Sequence, residues 1–250
     1  METEDEFWTG LRQMTAARIG LKRAGASLAT GPLLDFKLAH ARARDAVAEP
    51  LDEARLAAEL AGLDCPVISV ASAAADRQTY LLRPDLGRRF AANADAALAA
   101  HKGDYDVVFV VADGLSSRAV ALHAGPVSSL TMPALRAEGW RIGPVVIVRY
   151  GRVAIGDAIA TALGAESVAV LIGERPGLTA PHSMGAYLTF KPRADTSDAE
   201  RNCISNIRPD GVDYTAAGSK LAHLLRAMRT RRLSGVQLKD DSDRLLALDH

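Results

Sequence analysis

No apolar run in this 250-residue chain approaches the roughly 20 residues that a membrane-spanning helix needs, so no transmembrane segment is expected. The residues from Met1 to Phe7 are acidic and no apolar core follows them, so no secretion signal is read there. Charge of one sign is missing too. Thirty basic and thirty acidic side chains cancel, which excludes a general binder of nucleic acid or anionic membrane, whose affinity rests on Lys and Arg. Cysteine is scarce: Cys65 and Cys203 lie far apart with no Cys-x-x-Cys between them. A cytosolic protein with reduced thiols is expected rather than a disulfide scaffold. His40, His101, His123, His182, His223 and His250 show no metal-ligand spacing, so no metal site is expected and each reads as a surface or packing residue. There is also no Gly-x-Gly-x-x-Gly after a strand, no Walker-type lysine loop and no Gly-x-Ser-x-Gly elbow. Nothing assembles a nucleophile, a base and an orienting group, so no catalytic residue is assigned.

What the chain does have is enough apolar residue, 48%, to bury a sizeable core. The clearest pattern runs from Val145 to Pro181. Val145 to Val148 is a short continuous apolar run, the signature of a strand buried on both faces. Ile155, Ile159 and Leu163 then fall on one helical stripe, and Gly164 stands where a left-handed C-terminal cap is wanted. Val168 to Ile172 is a second buried strand, ending at Gly173. This β-α-β unit predicts two parallel strands. Taken as neighbours, they bring Gly151 to Val153 and Gly173 to Pro176 to one crevice at their carboxyl ends, where open α/β sheets bind ligands.

In chain order, residues 1 to 30 read as an irregular arm. A helix is predicted over Thr30 to Val47, begun by Thr30 and Pro32. It is either an amphipathic helix on its own core or a docking arm for another chain. A shorter helix follows over Leu51 to Ala61. Strands are expected at Val67 to Ala71, Thr79 to Leu82 and Val107 to Val111, and an alanine-rich helix over Pro84 to Ala100. Asp113 and Gly114 turn the chain into a helix starting near Ser116, and a further helix is read from Gly125 to Trp140. Asp113 is a turn or cap residue, or part of a helix start whose N–H groups hold a polar ligand. Ala186 to Lys191 reads as an extra strand at an edge, and Arg193 to Pro209 as a polar connection. Asp213 caps a last helix from Tyr214, whose terminal arginines suit the helix dipole. The alternation predicts a doubly wound α/β fold with a mostly parallel sheet. The divisions are a helical N-terminal part over 1–62, a binding domain over 63–240 and a tail over 241–250.

Two residues carry open alternatives. Glu174, at a strand's carboxyl end, either pairs with a neighbouring Arg or aims a polar group into the crevice. Cys203 by residue type alone is a buried small hydrophobe.

Five segments together resemble the small (light) subunit of ethanolamine ammonia-lyase. They are Leu38-Ala-His-Ala-Arg-Ala-Arg-Asp-Ala46, Ala112-Asp-Gly-Leu-Ser116, Tyr150-Gly-Arg-Val-Ala-Ile-Gly-Asp157, Gly173-Glu-Arg-Pro-Gly-Leu178 and Asn202-Cys-Ile-Ser-Asn-Ile-Arg208. The match runs in order from about Ile19 to Lys239. The resemblance implies a Rossmann-like sheet and an adenosylcobalamin-dependent lyase that turns ethanolamine into acetaldehyde and ammonia by a radical route. It implies a hetero-oligomer in which a TIM-barrel large subunit holds ethanolamine and this chain, inactive alone, covers the corrinoid. The family's cobalamin contacts fall on Val153, Glu174 and Cys203. It implies Glu174 on the corrin's amides, Val153 in apolar contact and Cys203 as a packing contact rather than a cobalt ligand. No His has an Asp two residues before it, so the Asp-x-His-x-x-Gly motif is absent and base-on cobalamin is expected. Family members with a long N-terminal extension enter a microcompartment. Here recognisable sequence begins near the start, so a cytoplasmic protein is expected and such targeting is in doubt. The resemblance gives weight to the docking-arm reading. The competing readings are a standalone regulatory cofactor-binding module and a self-sufficient enzyme with Glu174 as general acid or base.

Overall fold

The computed structural model describes residues 4–241, so all but the first residue of the expected tail lies outside the described residues. In chain order the elements are α1 (Glu4–Met14), β1 (Arg23–Ala24), β2 (Ser27–Leu28), α2 (Thr30–Ala48), α3 (Glu53–Leu60), β3 (Val67–Ala71), α4 (Arg77–Leu82) and α5 (Ala94–Ala99). There follow β4 (Tyr105–Ala112), α6 (Ser117–Ala137), β5 (Ile142–Arg149), α7 (Ile155–Leu163), β6 (Ala165–Gly173), β7 (Met184–Phe190), β8 (Asn202–Ile207) and α8 (Tyr214–Arg231). Apart from the β1–β2 ribbon, the strands form one sheet in the order β3-β5-β4-β6-β7-β8. The four strands from β3 to β6 are parallel and the last two antiparallel, so the α/β, mostly parallel reading holds.

Side chains alternate between two layers. Phe109, Val111, Val145, Leu171 and Leu188 face a core built with α3, α6 and α8. Val110, Val146, Val148, Val168 and Val170 face a second core built with α5 and α7. Successive right-handed crossovers in opposite directions put their helices on opposite faces, which is why α6 and α7 cover different sides. Gly156 lets α7 lie close on the sheet, since a Cβ there would stand 2.3 Å from Val170 Cγ2.

Several expectations are corrected. Strands β5 and β6 are not neighbours: β4 lies between them, paired with both. Handedness fixes the direction and face of a crossover but not how many strands it skips. Thr79 to Leu82 belongs to helix α4, capped by Asp76 Oδ1 on the Thr79 N–H at 2.7 Å. The single helix read over Pro84 to Ala100 is broken, with a short 3-10 turn at Leu86–Arg88 and a bridge from Phe90 to Ser72 before α5. Conversely, α6 runs unbroken through Pro126 and Pro133, because Ala124, Val127, Met132 and Leu135 all lock it to the core. Strand β7 is not the edge, and the polar connection after it contains β8, which is. The irregular arm includes α1.

Helix α2 does not lie on its own core. Ala46 is its only buried residue, and Leu34, Phe36 and Leu38 are exposed. The arginines ending α8 make ion pairs rather than only facing the dipole, Arg226 with Glu138, Arg229 with Asp106 and Arg232 with Glu166. Among the described residues no helix is long and apolar enough to cross a membrane.

Candidate functional site

The site is built at the carboxyl ends of the parallel strands and on the flank formed by β7 and β8. At its centre lies Asp113, directly after β4. It is 1% exposed. Its Oδ1 accepts from the Gly151 N–H at 3.2 Å, and Oδ2 lies 3.7 Å from Arg77 Nη1. Arg77 also donates from Nη1 to the Gly114 carbonyl at 2.7 Å and from Nε to the Val47 carbonyl at 2.8 Å, which ties the end of α2 to the sheet. Tyr80 donates to the Gly151 carbonyl at 3.2 Å while Arg152 stacks on its ring at 4.3 Å, and burial pushes the phenol up to about 12. Asp113 is thus a strut of the loop that carries Val153, not only a turn residue. Sequence reading missed this cluster because Arg77 and Tyr80 arrive from a helix read there as a strand.

Burial pushes the Asp113 carboxyl up to about 6, against the pull of the Tyr150 and Gly151 N–H groups and Arg77. Since that lies above the ordinary 3.8, over the interval between them the folded protein keeps a proton the unfolded chain has released. Stability from this group is therefore highest below the lower value and declines as pH rises through the interval. The wild-type stability minus that of Asp113→Asn should fall by about 3 kcal/mol between roughly pH 4 and roughly pH 7. Urea unfolding at a series of pH values measures it, and a flat difference rejects it.

Glu174 follows β6. It does not pair with a neighbouring Arg. Both carboxylate oxygens accept the backbone N–H of Asn206, at 3.1 and 3.3 Å, and so pin the end of β8. Asn206 adopts a left-handed φ of 60°, which interrupts the strand and aims that N–H at the carboxylate. Gly185 makes room for the contact: a Cβ there would stand 3.0 Å from Glu174 Oε1.

Cys203 is exposed, which corrects the buried-hydrophobe reading. It pairs with Tyr187 in the β7–β8 ladder, and its thiol interacts with the Tyr187 hydroxyl. Partial desolvation pushes the thiol above its ordinary value, so it is protonated at neutral pH. Tyr187 is also raised, by burial first and then by Cys203 and Glu174. Glu174 and Cys203, far apart in the chain, are thus brought together around Tyr187.

Val153 sits in the turn before α7, half-buried against the second core, and Tyr187 packs against that same core. It is on the same side of the sheet, but its turn belongs to β5, separated from β6 by β4. Helices α5 and α7 cover this side as far as β6, and beyond them Tyr187 and Cys203 emerge. The result is an uncovered patch in which a phenol, a thiol and a carboxylate acceptor meet, with Val153 on the same face of the sheet.

An acceptor beside a phenol and a thiol can take N–H donors from a ligand. Each Glu174 oxygen keeps a lone pair after accepting from Asn206. Among the described residues no group of three or more His, Cys, Asp and Glu could hold a metal ion. His123 has both ring nitrogens engaged, by the Tyr214 hydroxyl at 2.9 Å and the His182 carbonyl at 2.8 Å.

Comparison with known proteins gives the family. The family described as ethanolamine ammonia-lyase light chain (EutC) matches residues 5–239. An ethanolamine ammonia-lyase small subunit from Xanthomonas campestris pv. campestris (strain B100) is 51% identical over 245 residues, covering 96% of this chain and 90% of its own. Small subunits from Ralstonia nicotianae and Azotobacter vinelandii are 49% and 50% identical, each over 240 residues, covering 94% of this chain and 89% of their own.

Proposed function

Because the chain belongs to the ethanolamine ammonia-lyase light chain family, we propose that it holds adenosylcobalamin against a large subunit that carries the ethanolamine site. In this reading it is a lyase subunit, inactive alone. Once bound, adenosylcobalamin supplies an organic radical by homolysis of its cobalt–carbon bond. What this chain contributes is placement. Glu174 accepts amide N–H groups of the corrin rim, Val153 meets its apolar surface, and Cys203, kept as a thiol, is a packing contact. Cobalamin would bind base-on, since the chain carries no Asp-x-His-x-x-Gly motif to supply a replacing histidine.

The observation that carries the proposal is the convergence of Glu174 and Cys203 on one uncovered patch around Tyr187. A lid from a second polypeptide would exclude water from it. The exposed Leu34, Phe36 and Leu38 of α2 are the docking arm for that polypeptide. At the arm's end a groove of about 660 Å³, lined by Val47, Ala48, Leu81 and Leu82 among others, offers it further apolar surface.

The test is reconstitution. Acetaldehyde should form only when this chain, a large subunit and adenosylcobalamin are all present. Glu174→Ala removes a charge-assisted acceptor and should raise the half-saturating cobalamin concentration by roughly tenfold or more, with KM for ethanolamine unchanged. Acetaldehyde from this chain alone, or an unchanged half-saturation, rejects the proposal. Loss of turnover at saturating cofactor in Glu174→Gln would instead favour a general acid or base role.

A further inference from the structure

Strand β8 is the edge strand beyond β7, bridged at its end to Val212 as well, yet it carries Cys203. Its far end is held by Glu174 on the Asn206 N–H. Its near end is held by a buried ion pair. Arg201, directly before β8, donates from Nη1 and Nη2 to the two oxygens of Asp157, both at 2.7 Å. The two side chains are 2% and 6% exposed. Nη1 also donates to Thr189 Oγ1 on β7 at 3.0 Å and Nη2 to the Thr196 carbonyl at 3.1 Å, so the guanidinium is saturated in one orientation. Nε also donates to Asp198 Oδ1 at 3.3 Å; burial works against the charge, but the Asp157 and Asp198 carboxylates outweigh it and hold Arg201 above its ordinary value. Asp157 stands in the first turn of α7, four residues after Val153.

The pair therefore joins the turn that bears Val153 to the strand that bears Cys203, across a sheet in which those segments share no ladder. A buried ion pair is weak support for stability, since apolar replacements of similar volume often fold as well. What a bidentate fork supplies is direction and distance. We propose that Arg201 and Asp157 are positioning residues whose pairing sets the spacing between Val153 and Cys203, and with it the fit of the patch to the corrinoid. This rests on the cobalamin-holding reading above.

The experiment uses the complex with a large subunit and titrates hydroxocobalamin by visible absorbance, well below the thermal midpoint. The double variant Asp157→Leu/Arg201→Met should keep the thermal midpoint within a few degrees of wild type and weaken cobalamin binding about tenfold, the scale of a misplaced contact. Wild-type affinity in the folded double variant overturns the proposal. Should that variant not fold, Arg201→Lys decides: it keeps the charge, loses the fork and should weaken binding roughly threefold. Unchanged affinity there overturns the proposal equally. Glu174→Ala separates the two levels. If it weakens binding while the pair variants do not, only the clamp falls. If it leaves binding unchanged too, the corrinoid lies elsewhere and both readings fall.

Discussion

Gly173→Ala should lower the stability of the protein by about 3 kcal/mol or more, far more than an added methyl group ordinarily costs. An ideal Cβ on Gly173 would lie 2.1 Å from the Ser116 carbonyl oxygen and 2.6 Å from that of Asp113. Both obstacles are backbone, so no rotamer change relieves them. The backbone itself cannot easily yield. The Leu115 N–H donates to the Gly173 carbonyl at 3.0 Å and the Asp113 N–H to the Val148 carbonyl at 3.2 Å. From the facing side Gly114, at φ 56°, would meet the Gly173 oxygen at 2.2 Å with any Cβ of its own. The two glycines let the β4–α6 turn and the end of β6 touch through main chain alone. Gly151→Ala is the comparison: its nearest obstacles are the Ala112 Cβ and Val148 Cγ1, both at 3.0 Å. Those are side chains, and the cost there should be about 1 kcal/mol. At roughly 2–4 °C per kcal/mol for a domain of this size, the first variant should melt about 10 °C early. Calorimetry of both decides, and equal midpoints reject the argument.

Arg201→Met alone should cost about 3–5 kcal/mol, because it leaves the Asp157 carboxylate buried without its partner. The deficit has a pH signature. Burial already raises the Asp157 carboxyl against the pull of Arg201, and without Arg201 it titrates higher still, so the folded variant gains more stability than wild type as pH falls toward the ordinary carboxylate range. The loss should thus be largest near neutrality and smaller in mild acid. Replacing both partners by apolar side chains should recover most of it. Urea unfolding of the single and double variants at two pH values measures all three statements. A single variant as stable as wild type would mean that water or another cation reaches Asp157.

The central β-α-β unit was legible because its runs are long, apolar and cleanly punctuated, with Gly164 ending α7 at φ 78° as expected. Helix α8 was legible from its cap, Asp213 Oδ1 accepting the Ala216 N–H at 2.9 Å, while α2 begins at Thr30 as read but without a side-chain cap. What escaped depends on distant partners. Asn202 to Ile207 is polar and irregular, and the left-handed Asn206 breaks its period of two, so it reads as a loop. It becomes a strand only because β7 offers an open edge and Glu174 and Asp157 hold its ends. The proline pair in α6 advertises a break that packing against the sheet overrides. Glu174 could be singled out from its place after a strand, but its carboxylate's partner is a backbone N–H, a group no sequence distinguishes. Asp113 looked like punctuation because burial, not residue type, makes it a strut.

The strand order also constrains how the chain can be made. The first strand of the main sheet to leave the ribosome, β3, pairs only with β5. Its pairing in the sheet waits until the polypeptide has been extended through Arg149, with the contacts of Ala71 and Ser72 to the Phe90–Ala91 segment available before then. The arrival of β5 then joins β3 to β4, since it lies between them. The early nascent chain is a stage at which chaperones have an exposed edge to shield.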